Sequence, residues 1–456
     1  MNVVLAKIDT GRALSDAFAV ARERLPGVGK VAESRRQAFE AYERAGLPHR
    51  RVEEWKYTDL RVLMREVLPP APEPDAAALK RAGAALKLHA IAGVRRLVLV
   101  DGVFAPKLSE TGKLEKGLGI RTLRELLEAG NSAPQLAPDN SDAMVALNSA
   151  MMTDGVVIEV ADGAALTQPL HIVHIASGSA PSAMFTRSLL KLGKAASATL
   201  VESYIAADGA KAYQVYDSLI VSVGDGARLD HVRLVEDARE AFNISSSKVT
   251  LGANAQFNTL GMTTGSSVSR YQPTIVFAGE GSRVEANGVN LLNGRQHADT
   301  TLLLDHAVPN CASREVFRSV VDDRGHSVFQ GRIVVRPHAQ KTDAKMMTRA
   351  LLLSDDAEAD NKPELEIFAD DVTCGHGATT GALDESLLFY LRARGLSAKE
   401  AQALLIQAFV GEAVEAIEDD GLRELAMALA ERWLEAVSSP LEEIAGRRGK
   451  IFCPVE

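Results

Sequence analysis

Five glycine-centred turns recur along the middle of the chain: VADGAAL from 160, LGKAASA from 192, VGDGARL from 223, LGANAQF from 251 and AGEGSRV from 278. They are spaced 27 to 32 residues apart. Short β-branched or alternating runs lie among and around them: VVIEV, LHIVHIA, SATLVESYI, SLIVSV, RLDHVRLV, SKVTL, PTIVFA, GRIVVRP and ELEIFA. A turn that returns at near-constant distance suggests that each intervening stretch repeats one structural unit. About 30 residues hold two strands and their turns, which is one coil of a β-solenoid. A sandwich also contains many short strands, but its turns fall roughly every 8–12 residues. The shared Gly-X-Gly/Ala-X-apolar turn favours the solenoid, placed over residues 155–383.

Both flanks read as helical. ALSDAFAVARERL and ESRRQAFEAYERAG repeat apolar residues at three- and four-residue spacing, with Gly46 as a stop. WKYTDLRVLMREVL reads as a third helical piece, ending at Pro69-Pro70, and PPAPEPDAAA has the composition of a linker. RRLVLVDGVF suggests a strand and turn, followed by helices in RTLRELLEA and SDAMVALNSAMM. Past the core, Asp384 is placed to cap LLFYLRAR and Gly395 to end it, while Ser397 and Glu400 form a capping box. A last helix is expected at about 421–437. The expected division is 1–70 helical, 71–154 linker and mixed α/β, 155–383 solenoid and 384–456 helical. A length of 456 residues agrees with two or three such regions.

Composition narrows the functional classes. A net charge of −9 argues against an extensive nucleic-acid footprint. No apolar run approaches the ~18 residues of a membrane span, and the N-terminus lacks the pattern of a secretory signal. GxxxxGK[ST] does not occur, and no strand leads into GxGxxG, so any ATP requirement points to another polypeptide. The cysteines, at 311, 374 and 453, form no CxxC pair, which predicts reduced thiols in a cytoplasm.

The stretch CGHGATTG at 374–381 concentrates the candidate chemistry. On an extended segment Cys374 and His376 point the same way, about 6.6 Å apart. Gly375 and Gly377 leave room for another backbone or subunit to approach. Thiolate and imidazole suit iron, zinc or copper, yet a closed zinc or iron–sulfur site takes about four ligands, so alone the pair is half a site. Two other readings stay open: a buried cysteine beside a turn histidine, or a Cys374/His376 thiol dyad in a solenoid enzyme. His171 and His174 sit at odd spacing and face opposite sides of their strand. Either His306 or His326 could be a ligand, but both read first as structural. Trp55 in EEWKYTDL, with Tyr57, is expected to anchor the N-terminal helices to the body, with an interaction role as the second option. Leu404, Leu405, Ala408 and Phe409 mark one helical face, expected to be local core with partner docking as an alternative.

FADDVTCGHGATTGALDESLLFYLRARGLSAKEAQALLIQAFVGEAVEAI resembles the C-terminal signature of the SufB/SufD family of SUF iron–sulfur cluster assembly scaffolds. REVFRSVVDDRGHSVFQGRIVVRPHAQKTDA, ALNSAMMTDGVVIEV and EEWKYTDL extend the likeness over most of the chain. His376-Gly377-Ala378, where the SufB branch typically has His-Glu-Ala, and the lack of that branch's additional cysteines favour the SufD branch. Gly375 stands where serine is common in the motif.

The resemblance implies a right-handed parallel β-helix core with flanking helices, acting as a non-catalytic scaffold subunit. It implies pairing with SufB through the β-helix and binding of the ATPase SufC through the C-terminal helices, with Leu388, Tyr390, Leu391, Leu404 and Phe409 as candidate contacts. Cys374 and His376 match the residues at the interface where iron or a transient cluster is shared with SufB. A homodimer in isolation remains open, and no nucleotide binding by this chain is expected.

Overall fold

The computed structural model describes residues 10–130, 142–178, 180–210 and 212–438. Strands from Val156–Val160 to Thr373–Gly381 alternate between two sheets, so that each strand pairs with the one two places along the chain. Pairing within the core is parallel and in continuous register: Ser197, Arg228, Gln256, Arg283, Ala312, Asp343 and Thr373 stack in one ladder. This is a parallel β-solenoid of about seven turns with helices at both ends of the chain.

The recurrent turns explain the regularity. Gly163, Ala195, Gly226, Asn254 and Gly281 occupy equivalent places in the five motifs, and all have positive φ. Successive turns stack through backbone bonds, with Gly163 N–H donating to Lys194, Ala195 to Asp225, Gly226 to Ala253 and Asn254 to Glu280, at 2.7–2.8 Å. Close stacking needs the leading glycine. A Cβ on Gly279 would lie 2.0 Å from the amide nitrogen of Ala253 in the preceding turn.

Inside the coils, alternate residues such as Leu200, Leu229, Phe257, Val284 and Ala344 form one continuous apolar core between the sheets. The outer face of one sheet buries Phe185, Tyr216, Ile244 and Val268 against the N-terminal helices. The outer face of the other buries Val232, Leu234, Met262 and Leu291 under the helices Ala398–Val414 and Asp420–Ser438. Trp55 anchors the N-terminal side as expected. It is 1% exposed, and its indole donates to Asp142 at 2.9 Å.

Three expectations need correction. The third helical piece is only a 3₁₀ turn, Glu53–Trp55, and one turn of helix, Leu60–Leu63. Beyond Met64 the chain is pulled straight by the solenoid: the Gln214 side chain accepts from the Leu68 amide and donates to the Glu66 carbonyl. The supposed linker bridges to the sheet at Pro70–Ala183, then enters a helix, Ala76–Leu88, that Asp75 caps. In Ala398–Val414 the buried face is Ala401, Ile406, Val410, Ala413 and Val414. Leu404 and Ala408 are exposed, while Leu405 and Phe409 are half-buried.

Candidate functional site

Thr373–Gly381 is the outermost strand of its sheet, and Glu358–Ile367 is the outermost strand of the other. The solenoid therefore ends on two strands that each have a single neighbour. Such edges present unpaired backbone donors and acceptors, a ready template for another chain. Ile367 and Phe368 lie exposed beside them, at 41% and 59%.

Cys374 and His376 lie on this last strand. Register sets Cys374 beside Ala344 and His376 beside Met346, both of which belong to the apolar interior. The two side chains thus share the inward column at the open end of the core. Cys374 is half-buried against it and His376 is exposed. Among the described residues, no third histidine, cysteine or carboxylate converges on them. Nothing lies within 4 Å of where a Gly375 Cβ would stand, whereas one on Gly377 would come within 2.7 Å of Met347.

Burial pushes the Cys374 thiol above its ordinary pKa. That is the opposite of the lowered value that marks an activated nucleophile. The column continues inward from His376 through Met346 to Glu315, a carboxyl 1% exposed beside the Ser313 side chain. Burial raises it to about 8. Glu315 was not singled out from the sequence. Only the stacking of coils places it inside.

Three other histidines of the sequence analysis, His171, His306 and His326, have structural partners. His171 meets the Ser203 hydroxyl at 2.8 Å, and His306 stacks on Phe277 and reaches Ser313. His326 joins His297 and Asp360 at 3.2 and 2.8 Å. Cys311 is buried, and Cys453 lies outside the described residues.

The helix Glu385–Ala393 follows directly, with the Asp384 side chain accepting from the amides of Ser386 and Leu387. None of its residues is buried. Leu387, Phe389 and Tyr390 are exposed at 49%, 75% and 54%, whereas Leu388 and Leu391 are half-buried. The available signal was LLFYL, five consecutive apolar or aromatic residues that one helical face cannot hold. Leu404 adds to the exposed set, at 46%. Phe409 instead packs on the solenoid, with Arg318 over its ring.

Taken together, the fold and this end define a solenoid protein whose donor pair lies at an open edge. Residues 174–409 match the SufBD core domain of SUF-system FeS cluster assembly, and residues 26–172 match the SufBD protein N-terminal region. The chain belongs to the SufBD family. It is 32% identical over 390 residues to the iron–sulfur cluster assembly protein SufD of Escherichia coli, covering 84% of this chain and 89% of that one. A SufBD family protein of Synechocystis is 32% identical over 81% of this chain and 84% of its own. The chloroplastic protein ABCI7 of Arabidopsis thaliana is 28% identical over 63% and 62%. Among the described residues no helix is long and apolar enough to cross a membrane.

Proposed function

We propose that this SUF-system chain is a non-catalytic scaffold subunit that pairs through the open end of its solenoid with a SufB-type subunit. The C-terminal helices, through Leu387, Phe389, Tyr390 and Leu404, dock a SufC-type ATPase, and nucleotide is bound there rather than by this chain. Assembly takes place in the cytoplasm. Iron and the nascent cluster are cargo, for which His376 and Cys374 supply part of the donor set.

The observation that carries this reading is the placement of Cys374 and His376 side by side on a strand with one free edge. Two donors there suit a shared site: a partner's donors complete the coordination, and parting the chains lets the cluster go. The thiol-dyad alternative has no comparable support, because burial raises Cys374.

The test is reconstitution with the partner subunits. His376→Ala should leave the complex intact, since the side chain is exposed, and should lower bound iron and sulfide. Undiminished loading in the assembled complex would refute the ligand role.

A further inference from the structure

Toward its N-terminal end the solenoid interior is polar on one side. His174 on the strand Leu170–Ala176, Glu202 on Ser197–Ala206 and Asp217 on Tyr213–Val223 gather there. One ring nitrogen and two carboxylate oxygens lie within 4.8 Å of one another. The three residues are 6%, 1% and 3% exposed. Two polar atoms are left without hydrogen-bond partners, Nε2 of His174 and Oε1 of Glu202.

The surrounding groups hold the donors in place. His231 Nε2 lies 2.9 Å from the other Glu202 oxygen. The Tyr204 hydroxyl donates to Asp217 at 2.7 Å, and Thr186 donates to the second Asp217 oxygen. The His174 ring stacks on Tyr204, with centroids 4.5 Å apart. An imidazole with carboxylates, each oriented by an outer partner, is donor chemistry for a first-row divalent metal.

Buried cationic groups surround the carboxyls: Arg233 lies near Glu202 and Asp237, while Arg187 lies near Asp217 and also donates to Asn148 and Ser149 of the helix outside.

We propose that His174, Glu202 and Asp217 form a binding site for one divalent transition-metal ion of the iron(II), manganese(II) or zinc class. The site is inside the solenoid and distinct from the Cys374–His376 end. Six strand spacings separate Ser197–Ala206 from Thr373–Gly381 in their shared sheet, roughly 29 Å at 4.8 Å each. Three protein donors leave coordination positions for water.

Cobalt(II) is the probe, with the full chain produced in cobalt-supplemented medium on a Cys374→Ser/His376→Ala background so that the edge pair cannot contribute. About one cobalt per folded chain is expected, with visible d–d absorption and no thiolate charge-transfer band. Glu202→Gln and Asp217→Asn keep the shape of the side chains, and each should lower cobalt content at least about tenfold. A folded parent that carries no cobalt overturns the proposal without any variant. Cobalt content and spectrum unchanged in Glu202→Gln overturn it as well. Neither result bears on the scaffold reading, which is tested at His376.

Discussion

The Arg270 guanidinium lies 3.8 Å from the centre of the Trp55 ring. Both side chains are almost fully buried, and Arg270 also pairs with Asp299 and donates to the Glu54 carbonyl at 2.6 Å. One stacked pair thus fastens the N-terminal segment to the outer face of the solenoid. Trp55→Ala leaves a cavity and a buried guanidinium without its aromatic cover. It should cost about 3–5 kcal/mol, read by denaturant unfolding, with proteolysis opening the first 70 residues ahead of the core.

Leu404 and Ile406 are two residues apart on one helix and have opposite fates. Ile406 is fully buried against the solenoid, and Leu404 is 46% exposed. Ile406→Ala should destabilise the chain by about 2–5 kcal/mol. Leu404→Ala should stay within about 0.5 kcal/mol of the parent. Equal losses in thermal or denaturant unfolding would mean that the helix is seated on a different face.

Glu315 should leave a signature in the pH dependence of stability. Its folded-state pKa is raised from 4.5 to about 8 by burial. Between those values the folded chain keeps a proton that the unfolded chain releases, so this group's contribution is complete below pH 4.5 and is lost as pH rises through 8. Glu315→Gln removes that dependence. Relative to the variant, the parent should lose on the order of a few kcal/mol across this window. Unfolding curves at a series of pH values measure it, and parallel profiles would place the carboxyl in a wetter site.

Phe389→Asp with Tyr390→Ser addresses the proposed ATPase dock. Both residues are exposed, so the unfolding midpoint should hardly move. Binding to a SufC-type ATPase should weaken at least about tenfold in calorimetry, because exposed aromatic anchors tend to dominate such surfaces. Unweakened binding would move the dock elsewhere.

Much of the architecture was legible because its cause is local. Turns at Gly163, Gly226 and Gly281 need positive φ and Gly279 needs a missing side chain, so these requirements stand directly in the residues. The same holds for the caps at Asp384 and Ser397, where a side chain bonds amides two or three residues on. CGHGATTG also carried its own geometry, since alternate residues of a strand share a side. Regions with weaker local preference were misread: WKYTDLRVLMREVL has helical spacing, but Gln214 captures its backbone from another strand.

The sequence by itself determined the coil period, the turn chemistry and the pairing of a thiol with an imidazole on one side of a strand, because each depends on neighbours within a few residues. Only the tertiary structure decided that this strand is the last of its sheet, that Glu315 lies two strands inside it, and that His174, Glu202 and Asp217 meet at all. Those relations depend on register between coils about 30 residues apart, a distance over which no local rule links one side chain to another.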